Sequence, residues 1–161
     1  MKLFLAEGKI GNQIFQYVFL KTIQNQNEKI VVSGFEELKE VFEINDFINI
    51  NKHSRWLRFL LFRICRPVLY FLSDIRVISS ITIIHENILN NYSRESTNFD
   101  TIQGIVKRIT FVKHGYFQSE IYFDKSLSNN LEFKKIFLIN AAELLNSMPN
   151  YYHKIFVHIR R

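Results

Sequence analysis

The first 33 residues contain two short apolar runs with a helical pattern between them, and no other feature restricts the fold as strongly. Residues 2–6 and 29–33 each predict a strand, because both are short and apolar and the second is rich in β-branched side chains. Residues 8–12 predict a turn, and residues 13–22 have the apolar spacing of a helix. About thirty residues is the length that a β-α-β unit needs, so we expect one at the N-terminus.

The rest of the chain continues the alternation of strands and helices. A short amphipathic helix is predicted over residues 34–44, with Phe35, Leu38 and Phe42 on one face. Further along, the pattern predicts a strand over 108–113, an aromatic turn over 114–123, a helix over 130–146 and a last strand over 154–159. A chain of 161 residues, 47% of them hydrophobic, is long enough to bury one core. We therefore expect an α/β layered fold.

Cysteine content and the N-terminus bear on the cellular compartment. The chain has one cysteine, Cys65, which cannot form an internal disulfide and has no Cys or His at ligand spacing. The apolar run before Glu7 is too short for a signal peptide. We therefore expect a cytoplasmic protein without a zinc site. The net charge of +6 favours an anionic partner but does not distinguish nucleic acid, lipid head groups and a nucleotide sugar.

The segment that begins at Arg55 and ends at Arg76 is rich in Leu and Phe, as a membrane span is. Arg58, Arg63 and Arg66 interrupt it, however, and a span needs about 18 uncharged residues, so we do not expect it to cross a bilayer. Two interpretations stay open. The segment is either a core helix whose arginines extend to solvent, which we favour, or a peripheral helix at the membrane surface.

The predicted turn after the first strand has the composition of an anion site. Gly8 and Gly11 allow the backbone to turn sharply and to approach a ligand closely, and the helix that follows presents unpaired N–H groups. Asn12 can cap that helix or donate its amide to a ligand, and Lys9 can supply a mobile charge. Neither the dinucleotide fingerprint nor the P-loop pattern is met. A structural helix cap therefore explains the turn as well as a ligand site does.

The last residues of the chain, VHIRR, place basic side chains at the end of a predicted strand. Strand alternation puts His158 and Arg160 on the face opposite Val157 and Ile159. Ligands of open α/β sheets bind beyond the carboxyl ends of strands, where Arg160 and its neighbour Arg161 are expected. Guanidinium groups match phosphate oxygens in pairs, which suits the stabilisation of a departing diphosphate.

Three motifs in this order, GKIGNQIFQY, GYFQSEIYF and FVHIRR, resemble the bacterial α-1,2-fucosyltransferase family, whose members read G-x-G-N-Q-x-F-Q-Y, G-Y-F-Q-S and H-x-R-R-G-D. The resemblance extends from end to end of the chain. Lys9 and Ile10 replace the usual Gly-Leu before Gly11. The residues that match without adjustment are Phe15, Gln16, Tyr17, Gly115, Tyr116, Phe117, Gln118 and Ser119.

The resemblance implies a GT-B-type glycosyltransferase that uses GDP-fucose without a metal and inverts the anomeric centre. The acceptor would be a galactose-type hydroxyl of an oligosaccharide, free or lipid-linked, in the synthesis of a surface polysaccharide. Family members continue past H-x-R-R through a second Rossmann-like domain. We therefore expect residues 1–150 to form the N-terminal α/β domain and residues 151–161 to begin a donor-binding domain, in an incomplete chain whose own activity is in doubt.

The resemblance also implies roles for individual residues. Arg160 and Arg161 would stabilise the leaving diphosphate, and His158 would orient them or act as a base. A larger set would contact the donor or the acceptor, and its members are Gly8, Gly11, Asn12, Gln13, Gln118 and Ser119. For the aromatic pair Tyr116 and Phe117 we favour a place in the core over a sugar-stacking wall.

A basic α/β domain without catalysis is the alternative to a transferase. Such a domain would bind a membrane surface or a nucleic acid. No nucleic-acid motif is present, and basic residues are not interleaved with aromatic ones on predicted exposed strands, so we do not expect a nucleic-acid partner. A membrane-associated protein would explain residues 55–76 but not the two phosphate-suited motifs.

Overall fold

The computed structural model describes residues 1–50, 55–83, 99–115, 117, 122, 126–127 and 131–147. Helices and strands alternate over most of these ranges, with one π-helical turn in the middle of a long helical segment. The strands are β1 (Lys2–Leu5), β2 (Ile30–Ser33), β3 (Ile48–Asn49), β4 (Ile78–Ile83), β5 (Phe99–Ile102) and β6 (Val106–Val112). The helices are α1 (Ile10–Thr22), α2 (Glu36–Val41), α3 (Arg55–Leu60), α4 (Arg66–Asp74) and α5 (Lys135–Ser147), and the π turn is Leu61–Cys65.

The six strands form one mixed sheet in the order β3-β2-β1-β6-β4-β5. All pairs are parallel except β4 with β5, which is antiparallel. Strands β1 and β2 are connected by α1 and pair directly, from Lys2 opposite Ile30 to Leu5 opposite Ser33. The predicted N-terminal β-α-β unit is therefore confirmed, and the sheet with its helices is an α/β fold compatible with a Rossmann-like architecture.

Several predicted elements differ from the observed ones in extent or were missed. Helix α1 begins at Ile10, so Gly11 and Asn12 belong to the helix and the predicted turn over 8–12 is wrong at its end. The predicted strand 108–113 is β6, and the predicted helix 130–146 begins only at Lys135. Strands β3, β4 and β5 were not predicted. The predicted strand 154–159 lies outside the described residues.

The core between the sheet and α1 is built largely from phenylalanine. Phe4 of β1, Phe19 of α1 and Phe35, which precedes α2, are fully buried. Phe117, which follows β6, stacks on Phe19 with ring centroids 3.9 Å apart and planes 10° from parallel. Its burial confirms the expected core position, and its positive φ of 52° shows that the chain turns sharply there. These contacts hold α1 against the middle of the sheet.

Residues 55–76 are helical, but the interpretation as a core helix is wrong. Among those of its residues whose burial is described, only Ser73 is buried. The π turn is marked by a hydrogen bond from the Arg66 N–H to the Leu61 carbonyl, five residues back. Pro67 explains the irregularity, because it has no N–H and its ring would clash with the carbonyl four residues earlier in a regular helix.

No helix in the described ranges combines the length and the hydropathy that a membrane crossing requires. Helix α5 is the other surface helix, and each of its residues is exposed.

A buried ion pair joins β1 to the segment before β2. Lys2 is 5% exposed, and its ammonium group is paired with the Glu28 carboxylate, which also lies 3.5 Å from the Met1 amine. Partial burial acts to raise the pKa of Glu28, but hydrogen bonds from Lys2 and from the Asn25 N–H outweigh it and lower that pKa. Glu28 therefore stabilises the fold above the pKa of its unfolded form, and this contribution is lost as the pH falls through its folded pKa.

We expect Glu28→Gln to destabilise the protein by roughly 2–3 kcal/mol at pH 7, because it leaves the Lys2 charge buried without its partner. Below pH ~4 the difference from the wild type should shrink, since Glu28 is then increasingly protonated. Urea unfolding at pH 7, 5 and 3.5 measures both effects. Glu40→Gln is the control, because Glu40 is exposed. Equal losses in the two variants at pH 7 would contradict the assignment.

Candidate functional site

The sheet has a topological switch point between β1 and β6. From β1 the chain builds outward through β2 to β3, and it then crosses to the other side of β1 to form β4, β5 and β6. At such a point the connections leave in opposite directions and open a crevice at the carboxyl ends of the strands, where α/β proteins bind ligands. Residues 6–9 follow β1, and residues 113–115 follow β6. From the strand order we expect a crevice between these two segments, and we refer to it as the crevice.

Gln16 of α1 ties the two walls together. Its side-chain Nε2 donates to the carbonyl of Glu7 at 3.0 Å and to the carbonyl of Gly115 at 3.2 Å. The side chain is fully buried, and its Oε1 has no partner within the part of the chain that the structure describes. The first and second motifs, 99 residues apart, therefore meet at the crevice. Gln16 was not among the predicted site residues, although the motif contains it.

The N-terminus of α1 lies at the rim of the crevice, and it is capped by a distant carboxylate. The N-cap residue is Lys9, which makes no side-chain capping bond, so of the two roles left open for Asn12 the structure does not give it the N-cap position. The Ile10 N–H donates to Glu37 Oε2 at 3.0 Å, and Lys9 Nζ donates to Glu37 Oε1 at 3.0 Å. The positive end of the helix thus already attracts one anion, the side chain of Glu37 from α2.

The two glycines of the first motif have different structural roles. Gly8 has a φ of +92°, and a Cβ there would lie 2.4 Å from Nδ2 of Asn12. Gly11 is helical, and a Cβ there would meet no atom within 4 Å. Only Gly8 is therefore required by the backbone. Gly11 instead leaves open space on the first turn of α1, beside the Glu37 cap.

Gln13 holds the turn rather than facing an open space. It is 3% exposed, its Nε2 donates to the Gly8 carbonyl at 3.0 Å, and its Oε1 accepts from the Leu38 N–H at 3.0 Å. Both amide atoms are engaged by the backbone of the turn and of α2. These contacts position the first motif, and we leave Gln13 out of the proposed ligand-binding set.

A charged cluster lies where the crevice meets α4. The Arg66 guanidinium is paired with the Glu7 carboxylate, and His114 Nε2 lies 3.6 Å from Glu7 Oε2. The hydroxyl of Tyr70 accepts a hydrogen bond from the His114 N–H at 3.0 Å. Burial lowers the pKa of His114; Glu7 opposes this shift, and Arg66 adds to it. The lowered pKa favours the neutral form of His114 at neutral pH.

Part of the predicted site lies outside the described residues. These residues are His158, Arg160, Arg161, Gln118 and Ser119. Of the others, Gly8 precedes α1 and lies close to Asn12, and Gly11 and Asn12 belong to the first turn of α1. Within the described ranges no three His, Cys, Asp or Glu side chains come close enough to hold a metal ion.

Comparison of the chain with protein-family models, with curated proteins and with solved structures finds no match. The fold and the contacts at the crevice are therefore the physical basis on which a function can be argued.

We expect Gly8→Ala and Gly11→Ala to have opposite effects on stability. Alanine at position 8 must adopt a positive φ and approach the Asn12 amide, which should cost about 1–3 kcal/mol. Alanine at position 11 has free space in a helix, so the free energy of unfolding should stay unchanged or rise by up to about 1 kcal/mol. Urea unfolding of both variants measures this. If Gly11→Ala destabilises as much as Gly8→Ala, the assigned start of α1 is incorrect.

Proposed function

We propose that the protein is a glycosyltransferase that transfers fucose from GDP-fucose to a hydroxyl of a galactose-type glycan, with inversion and without a metal ion. The observation that carries the proposal is the junction made by Gln16, which joins the first motif to the second at the crevice. Motifs that serve one ligand site have to meet in space. Two of the three motifs that resemble the fucosyltransferase family do so, at the end of the sheet where α/β proteins bind ligands.

In the proposed reaction, the acceptor hydroxyl attacks the anomeric carbon of fucose as the bond to GDP breaks. Negative charge then grows on the departing diphosphate, and stabilising that charge is the main task of the site. Arg160 and Arg161 are proposed for this role, with His158 orienting them or accepting the acceptor's proton. The first turn of α1, with Gly11 and Asn12, is proposed to contact a sugar or phosphate oxygen from the opposite wall.

The proposal extends to the architecture. The described α/β sheet would be the N-terminal, acceptor-side domain of a GT-B enzyme, in which the donor binds between two Rossmann-like domains. The paired Glu37 carboxylate bears on which ligand reaches α1. An anionic phosphate would have to displace Glu37 or sit beside it, whereas a neutral sugar hydroxyl would not be repelled. This favours an acceptor contact for the first turn of α1.

The experiment that tests the proposal measures fucose transfer by the purified protein. GDP-fucose and a galactose-terminated oligosaccharide should give an α-1,2-linked product, identified by NMR, and EDTA should not reduce the rate. UDP-galactose in place of GDP-fucose is the matched control and should give no product. If neither GDP nor GDP-fucose raises the melting temperature while any polynucleotide binds with steep salt dependence, the protein is a nucleic-acid-binding domain and the proposal fails.

We expect Gly11→Ala to reduce kcat/KM by about tenfold or more while the melting temperature stays the same or rises. The added methyl group would occupy the open space at the start of α1, so it would exclude a ligand oxygen without disturbing the fold. Steady-state kinetics with varied acceptor measures the effect, which should fall mainly on the acceptor. Ala141→Gly in α5, a helical change away from the crevice, should leave kcat/KM unchanged. A fully active Gly11→Ala variant would remove the first turn of α1 from the site.

A further inference from the structure

The outward side of residues 55–76 carries a row of large apolar side chains. Trp56 is 78% exposed, Phe59 is 56% exposed and Phe71 is 62% exposed, which is unusual for side chains of this size. Three aliphatic side chains continue the row, each about half exposed. We call the complete set the outer stripe, and it consists of Trp56, Phe59, Ile64, Val68, Phe71 and Ile75.

The π turn aligns the two halves of the outer stripe. In a regular helix of this length, the residues of α4 would be rotated away from Trp56 and Phe59 of α3. The π turn, Leu61–Cys65, contains an extra residue per turn, which rotates α4 back by roughly 100°. Phe71 and Ile75 are thereby brought round toward the side on which Trp56 and Phe59 lie. From Trp56 to Ile75 the stripe is about 28 Å long at the rise of a helix.

The charge around the outer stripe is positive. Residues 55–76 contain five arginines and one aspartate, and no acidic residue occurs before Asp74. Asp74 is paired with Lys113 at 2.7 Å, and Arg66 is paired with Glu7. Arg63, in the π turn, is exposed. Arg76, next to Ile75 in the sequence, is exposed as well. An apolar row with exposed arginines beside it in the sequence matches a surface that is apolar beneath and anionic at its rim.

Packing on the sheet does not account for the apolar character of this segment. Between it and β1 and β2 the structure has a cavity of about 360 Å³, whose lining includes Leu61, Cys65 and Leu69. The inner side of the helix therefore fills its space on the sheet incompletely. The outer side is apolar as well, and burying it would remove large side chains from water.

We propose that the outer stripe binds the surface of a lipid bilayer that contains anionic lipids, with the helix lying in the plane of the interface. Apolar side chains including Trp and Phe enter the headgroup boundary in such helices, and arginines contact the lipid phosphates. The length of the helix and its charge agree with a helix that lies on the membrane rather than one that crosses it. This inference does not depend on the proposed transferase activity.

The test uses vesicle sedimentation to measure affinity and Trp56 fluorescence to report burial of the stripe, because Trp56 is the single tryptophan of the chain. Vesicles of phosphatidylcholine with phosphatidylglycerol should bind the protein and shift the Trp56 emission to the blue, and binding should weaken with salt. Vesicles of phosphatidylcholine alone should bind at least fivefold more weakly. No sedimentation with anionic vesicles would overturn the inference.

Variants show whether the stripe itself makes the contact. Phe59→Ser with Phe71→Ser should weaken binding by about tenfold or more, and Arg63→Gln by about fivefold on anionic vesicles only. Ile136→Ser with Ile139→Ser is the matched control, since both residues are about half exposed in α5. Melting temperatures establish that each variant is folded.

Two results would contradict the proposal that the outer stripe binds a lipid bilayer. If the α5 control weakens vesicle binding as much as the stripe variant does, the contact lies elsewhere. If light scattering instead finds a dimer that the stripe variant splits, and the wild type does not bind vesicles, the stripe is a contact between two copies of the chain.

Discussion

The buried amide of Gln16 is the contact on which the arrangement of the crevice depends. It joins backbone carbonyls that follow two neighbouring strands, β1 and β6, and it does so from the helix that packs between them and solvent. The two hydrogen bonds that its Nε2 donates set the positions of the Glu7 and Gly115 carbonyls relative to α1. The turn glycine Gly8 and the stacked pair of Phe19 and Phe117 reinforce the same geometry.

The sequence predicted the N-terminal half of the sheet better than the rest, for a physical reason. β1, α1 and β2 are continuous apolar or periodic segments, so local pattern alone identifies them. β4 contains Ser79 and Ser80 at fully buried positions, where a polar residue hides the strand signal. Ser79 Oγ accepts a hydrogen bond from the Gly104 N–H, a contact between segments 25 residues apart that no local pattern contains. Contacts of this kind, between segments that are distant in the sequence, determine that β4 is a strand.

At the site, too, features that depend on neighbouring residues could be predicted from the sequence, and features that depend on distant residues could not. The positive φ of Gly8 follows from a tight turn between a strand and a helix, and glycine is the residue that signals it. The cap on α1 could not be predicted from nearby residues, because it comes from Glu37 on the next helix. Asn12 has the right chemistry for a cap but stands three residues too far along the chain. Asn12 is therefore not the residue that caps α1.

Helix α4 has residues at the crevice and residues in the outer stripe. It therefore links the proposed transferase site to the proposed membrane contact. Arg66 and Tyr70 extend from its inner side to Glu7 and His114, while Phe71 is exposed on its outer side. One helix diameter, about 10 Å, separates the two sides. If the stripe lies on a bilayer, the crevice is held within a short distance of the headgroups, and an acceptor carried on a lipid would reach it without leaving the membrane.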